Sequence, residues 1–186
     1  PMLDDLLFSQ KRSVVLTSAT LSIEGSMEYV KERVGLAEPE ELVLGSPFDY
    51  RKAALVLTCD DVPEPGDGGY QQAIQDVLVR VARASRGGVL ALFTSHASLR
   101  TARQGTKSML EAEGIPVLAQ GIDGSPAQLV EAASERGNVV LLGTSSLWEG
   151  VDIPGDPLRV VVLTRLPFNV PTDPVFAARS EDFANP

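Results

Sequence analysis

The stretch Leu141-Leu142-Gly143-Thr144-Ser145-Ser146-Leu147-Trp148-Glu149-Gly150-Val151-Asp152-Ile153-Pro154-Gly155-Asp156 changes character at its third residue. The apolar run that leads into it, Val139 to Leu142, suits a buried parallel strand. A glycine and three small hydroxyl residues follow, then a tryptophan, the carboxylates Glu149 and Asp152, and glycines at 150 and 155. A second apolar run, Val160 to Leu163, comes next and also reads as a buried strand. A short polar connection between two such strands lies at the carboxyl edge of a sheet, where open α/β sheets bind ligands. Polar, glycine-flanked connections are kept for function more often than for packing.

Outward from this stretch, apolar runs at 13–17, 42–44, 53–58, 89–93 and 115–119 read as further strands. Residues 1–12 are mixed and partly helical in character. Between the runs lie helical patterns. One starts near Ser26, with Met27, Val30 and Val34 on one face and Gly35 as its stop. The best spans Tyr70 to Ser85, with Ile74, Val77, Leu78 and Val81 at helical spacing and Asp76 one turn from Arg80. Another runs from about Ser98 to Glu113, its inner face Leu99, Ala102, Thr106, Met109 and Leu110. Ser125-Pro126-Ala127-Gln128 is a helix start, with a capping serine, proline at the first position and glutamine three residues on. Asp173-Pro174 opens a last helix. Alternating strands and helices predict an α/β fold, a mostly parallel sheet with helices on both faces.

Composition bounds the function. The 186 residues are 44% hydrophobic and 22% charged, an ordinary globular balance within the one-domain range. No apolar run nears the ~20 residues that span a bilayer, so no membrane partner is expected. The sequence shows no basic-then-apolar leader, so nothing in it suggests secretion, and a cytoplasmic setting is the default expectation. One cysteine, Cys59, and one histidine, His96, exclude a disulfide framework and make thiolate or imidazole metal sites improbable. The net charge of −9 argues against a general polyanion binder, but leaves room for a local amide-rich or basic groove.

Several apolar runs end alike. Thr17-Ser18-Ala19-Thr20, Thr94-Ser95-His96 and Thr144-Ser145-Ser146 each follow one. Hydroxyls and free N–H groups at helix starts grip phosphates, and they also serve as plain caps. Three such clusters on one sheet edge would make a phosphate-backbone groove. Glu149 and Asp152 can orient a water, a ribose or an arginine, while Gly150 lets the backbone approach a ligand. Equally, Asp152 can be a turn residue and Trp148 a core plug. The chain has no Gly-x-x-x-x-Gly-Lys-Ser/Thr loop, no Gly-x-Gly-x-x-Gly after a strand and no Gly-x-Ser-x-Gly elbow.

Five segments occur in one order: Val-Leu-Thr-Ser-Ala-Thr-Leu-Ser at 15–22, Gly-Ser-Pro-Phe-Asp-Tyr at 45–50, Leu-Phe-Thr-Ser-His at 92–96, Trp-Glu-Gly-Val-Asp-Ile-Pro-Gly at 148–155 and Arg-Leu-Pro-Phe at 165–168. Together they resemble the second motor domain of the DinG/XPD-type superfamily 2 DNA helicases, over nearly the whole chain. The resemblance implies a single RecA-like domain over 1–186, a three-layer sandwich. ATP and Mg would be held in a cleft against a first RecA-like domain, and single-stranded DNA would run across both, with 5′ to 3′ translocation. Motif III would be Thr17 to Leu21, motif IV Leu92 to His96 and motif V Gly143 to Asp152. By that analogy Thr17, Ser18 and Thr20 couple the nucleotide state to the DNA track. Thr94, Ser95, His96, Thr144 and Ser145 touch the DNA backbone. Glu149, Gly150 and Asp152 face the nucleotide cleft, with Glu149 and Asp152 in the catalytic role. The family's phosphate loop, its Asp-Glu box and the iron–sulfur cysteines of many relatives belong to the first motor domain. Motif VI, with its Gln and Arg residues, is also missing, so the chain is expected to be a fragment that does not hydrolyse ATP alone. An α/β module used for protein contacts, and a free-standing hydrolase, are the other classes this sequence admits.

Overall fold

A computed structural model describes residues 2–168 and 174–181. The chain divides into two compact units, Pro1–Thr58 and Cys59–Pro186.

In the first unit the helices are short: α1 Met2–Leu6, α2 Glu28–Val34 and α3 Tyr50–Ala53, with a 3-10 turn at Phe8–Gln10. Helix α2 starts after Met27; the Ser26 hydroxyl still accepts from Glu28 N–H at 3.3 Å, and left-handed Gly35 ends the helix as expected. The three strands expected at 13–17, 42–44 and 53–58 do not form; no ladder joins these runs to any described residue. Ala53 closes a helical turn instead. A strand needs a neighbour for its N–H and C=O groups, and β-propensity alone cannot supply one. The side chains of these runs stand in solvent, with Val15 85%, Leu44 77% and Val56 83% exposed. No residue from 3 to 58 is buried.

The second unit carries the sheet. Its strands are β1 Val89–Leu92, β2 Val117–Ala119, β3 Val140–Gly143 and β4 Val160–Leu163, in the order β2-β3-β1-β4 and parallel throughout. Helices α4 Tyr70–Ser85, α5 His96–Ala112 and α6 Pro126–Arg136 connect and cover them, and α7 Pro174–Glu181 follows. Residues alternate across the pleat, so β1 feeds two cores. Ala91 and Phe93 pack with Ile74, Leu78, Leu99 and Leu110 of α4 and α5. Leu90 and Leu92 pack on the other face with Leu129 and Ala133 of α6 and with Leu147. The expected α/β architecture is therefore present, with helices on both faces.

Details depart from the pattern for physical reasons. Met109 is 45% exposed, because α5 turns only Leu99, Ala102, Thr106 and Leu110 fully inward. On α4 the fully buried residues are Tyr70, Ile74, Leu78, Val79 and Ala82, so Val77 and Val81 flank the contact face. Asp76 accepts a hydrogen bond from Gln72 at 2.9 Å rather than an ion pair from Arg80. The run Val160–Leu163 is an edge strand, not a buried one: Val161 and Leu163 are about half exposed. It also does not neighbour β3, since β1 lies between them. The capping box at Ser125 and Gln128 forms as expected. Asp173 and the proline-rich loop before it lie outside the described residues.

The loop after β2 is held by one carboxylate. Asp123 accepts from Arg103 Nε and Nη2 at 2.8 and 2.6 Å and from Ala119 N–H at 2.8 Å. Burial pushes its carboxyl up; the Arg103 and Ala119 hydrogen bonds and the Arg103 and Lys107 charges outweigh burial, leaving it below the ordinary Asp value. A depressed carboxylate stabilises the fold above the unfolded value, near pH 4, and the contribution fades as pH falls through the depressed one. Asp123→Asn is therefore expected to lose about 1.5–3 kcal/mol at pH 7. The gap from the parent, followed by urea midpoints against pH, should close at acidic pH below about 4; a gap independent of pH would show that the charge is not what matters.

Candidate nucleic-acid interface

The tips of β1 and β3 meet at the carboxyl edge of the sheet. Phe93 N–H donates to Gly143 C=O at 2.8 Å, which locks the two tips together one step past the ladder. Beyond Gly143 the chain enters a 3-10 turn, Ser145–Leu147. The turn folds back because Leu147 is buried against the second core, directly over Gly143. A Cβ on Gly143 would sit 2.6 Å from a Leu147 methyl, so glycine is required there.

Around this edge lies an open cavity of about 440 Å³. From the β1 tip it is lined by Phe93, Thr94, Ser95 and His96, and from the β3 tip by Thr144, Ser145, Trp148 and Glu149. Pro167 and Phe168 complete the wall after β4. Two of the three hydroxyl clusters thus share one pocket. Thr17, Ser18 and Thr20 belong to the first unit, all exposed; there Ser18 Oγ accepts from Thr20 N–H at 3.2 Å. Gly150 and Asp152 follow the pocket wall without lining it, Gly150 with a left-handed φ of +73° and open space where a Cβ would be.

Each hydroxyl has a local task. Ser95 is the N-cap of α5, its Oγ accepting from Ser98 N–H at 3.2 Å, so the helix begins two residues earlier than its periodicity indicates. His96 opens that helix, with Nε2 3.5 Å from Thr144 Oγ1. Thr144 is 4% exposed. Its N–H and hydroxyl both donate to Gln120 Oε1, at 2.9 and 3.2 Å. The same amide donates through Nε2 to Ser146 Oγ at 2.7 Å. Gln120 therefore bridges the tip of β2 to both sides of the 3-10 turn and fixes its shape. Gln120, at the end of a strand, and Phe168, in the Arg-Leu-Pro-Phe segment, were visible in the sequence but carried no expected role at the site. The rule that tips carry function would have reached Gln120, since Gln120-Gly121 ends β2 as Thr94 ends β1. Trp148 is half-buried and packs on the second core, its indole N–H 3.5 Å from the Phe93 carbonyl, and it lines the cavity as well.

Comparison with known proteins gives this geometry a family. Residues 78–185 match the helicase C-terminal domain family. The chain is 41% identical over 186 residues to the 3′-5′ exonuclease DinG of Bacillus subtilis, covering 97% of this chain and 20% of that protein. It is 36% identical over 178 residues to the ATP-dependent DNA helicase YoaA of Escherichia coli, covering 96% of this chain and 27% of that protein. It is 38% identical over 178 residues to the ATP-dependent helicase DinG of Mycobacterium tuberculosis, with 94% and 26% covered. The chain thus spans about a fifth to a quarter of the length of these relatives. With a matching family domain over more than half its length and a four-stranded parallel sheet flanked by helices, the chain belongs to the helicase C-terminal domain family of DinG- and YoaA-type proteins.

Proposed function

We propose that this chain is the second, strand-holding motor domain of an ATP-dependent 5′ to 3′ DNA helicase. The observation that carries the reading is the shared pocket: Thr94, Ser95 and His96 from one strand tip and Thr144 and Ser145 from the next line one cavity at the carboxyl edge. Small hydroxyls and turn N–H groups at such an edge suit a sugar–phosphate backbone. Glu149, Gly150 and Asp152, directly beyond, would face the nucleotide cleft, and Thr17, Ser18 and Thr20 would couple it to the DNA track.

Mg-ATP does not fit this chain as a complete site. Among the described residues no group of three or more His, Cys, Asp or Glu could hold a metal. No lysine or arginine is among the described residues lining the pocket. Phosphoryl transfer draws its stabilisation from such cations and from a phosphate loop. A first RecA-like domain would have to supply them, with ATP between the two.

Fluorescence anisotropy of an end-labelled single strand, titrated with the chain at several salt concentrations, tests the reading. Weak binding that falls as salt rises is expected, with no ATP turnover by the chain alone. Robust turnover, or no strand binding at any salt, would sink it. The exonuclease name of the Bacillus subtilis relative supports a second reading, in which this part serves a larger protein as a non-catalytic contact module. That reading predicts no contribution to strand affinity.

A further inference from the structure

The pocket at the β1 and β3 tips has walls of two kinds. One side is hydroxyl, from Thr94, Ser95, Thr144 and Ser145. The other is aromatic, from Trp148 and Phe168. Phe168 is 81% exposed, an apolar ring left in water at the rim of a polar cavity. Leaving such a ring uncovered forgoes about 1.5–3 kcal/mol of burial. Trp148 is held from behind by the second core and by its N–H contact to the Phe93 carbonyl.

Charge decides what fits between these walls. A phosphodiester is held by cations. A backbone passing over the tips can take the hydroxyls and N–H groups of the rim, but a phosphate lodged inside the cavity would meet no lysine or arginine among the described wall residues and one carboxylate, Glu149. A flat, uncharged, aromatic group with hydrogen-bonding edges meets no such penalty. It can stack on an exposed ring, and its exocyclic amines can donate to a carboxylate. The cavity of about 440 Å³ falls in the range of small-ligand sites, roughly 300–1,000 Å³.

We propose that this pocket is a nucleobase subsite: it takes one unstacked base, its face against Phe168 or Trp148 and its edge toward Glu149 and the hydroxyls. The proposal rests on the strand-holding reading above and deepens it, since the adjoining backbone would then pass over the tips while the base turns in. The same ring chemistry can arrive on a DNA strand or on a free nucleotide.

Trp148 is the sole tryptophan of the sequence, so its emission reports this pocket alone. The chain would be titrated with an oligodeoxyadenylate, with an abasic deoxyribose-phosphate strand of equal length, and with ATP. Anisotropy of end-labelled strands would run in parallel. The base-bearing strand is expected to quench Trp148 and the abasic strand to leave it unchanged. Phe168→Ala should weaken the base-bearing strand about 5- to 150-fold, the equivalent of about 1–3 kcal/mol per stacked base. It should leave the abasic strand alone, and Phe168→Tyr should restore affinity. Quenching by ATP without quenching by the strand would support the base pocket and assign its ring to a free nucleotide. A strand that binds without disturbing Trp148, with ATP also silent, overturns the base pocket and leaves the strand-holding reading standing. Equal weakening of both strands by Phe168→Ala overturns it too. No strand binding and no response to ATP overturns both.

Discussion

Gly87→Ala is expected to destabilise the sheet-bearing unit by about 2–6 kcal/mol, the sum of left-handed strain and overpacking. Two separate costs meet at this residue. Its φ is +81°, a conformation that L side chains rarely adopt. In addition, a Cβ there would lie 2.2 Å from the carbonyl oxygen of Asn138. That neighbour is backbone and cannot swing aside. The turn between α4 and β1 presses on the residue that leads into β3, just where Val89 N–H reaches the Val139 carbonyl at 3.1 Å. Asn138 is itself tied back, its amide donating to Gly114 C=O at 2.8 Å. Gly114 supplies the control. Its φ of +77° is nearly the same, but nothing lies within 4 Å of the position its Cβ would take. Gly114→Ala should therefore carry only the conformational part, about 1–2 kcal/mol. Urea denaturation of both variants separates the two terms. Equal losses would mean that the close approach to Asn138 contributes nothing.

Glu149→Gln and Asp152→Asn should each lower ATP turnover by about 10²- to 10⁴-fold in a polypeptide that joins this domain to a first motor domain, the scale of a lost proton-transferring or water-orienting group. Single-strand affinity should change far less for Asp152→Asn, which lies outside the pocket lining, and for Glu149→Gln should fall only by the loss of its contact to a base edge. Both side chains are exposed, so the isosteric amides disturb no packing. A carboxylate adds nothing to the hold on a phosphate chain, so its neutralisation cannot weaken that hold electrostatically. Steady-state turnover beside strand titration reads both quantities. Should both variants turn over ATP normally, the assignment of these carboxylates to the nucleotide cleft is wrong.

The sheet-bearing unit was largely legible because its signals are local. Helix periodicity, the Ser125–Gln128 box and glycine stops mark α4, α5 and α6 within a few residues. The start of α5 was missed because Ser95 caps it before any apolar residue announces it. Strand identity was legible; strand cover was not. Val160-Val161-Val162-Leu163 has the composition of a central strand, and only the sheet order shows it at an edge. The runs at 13–17, 42–44 and 53–58 expose the same gap more sharply. Composition reports that a segment would suit a ladder, whereas the partner strand is a non-local fact. In the pocket, hydroxyls at strand ends were visible as a pattern. Gln120 was visible only as the residue that ends a strand; its task was not, because its three side-chain hydrogen bonds depend on which tips the topology places side by side.

The lack of a fully buried residue between 3 and 58 sets a ceiling on how tightly that segment can hold its own shape. With no residue there fully buried and only some, such as Leu21, Val30 and Leu36, partly covered, opening it sacrifices little burial, so its amide protons should trade with solvent orders of magnitude faster than those of β1 and β3. The bare valines and leucines of its three apolar runs are also the places where a second polypeptide, wanted or unwanted, would find unpaired backbone to zip against.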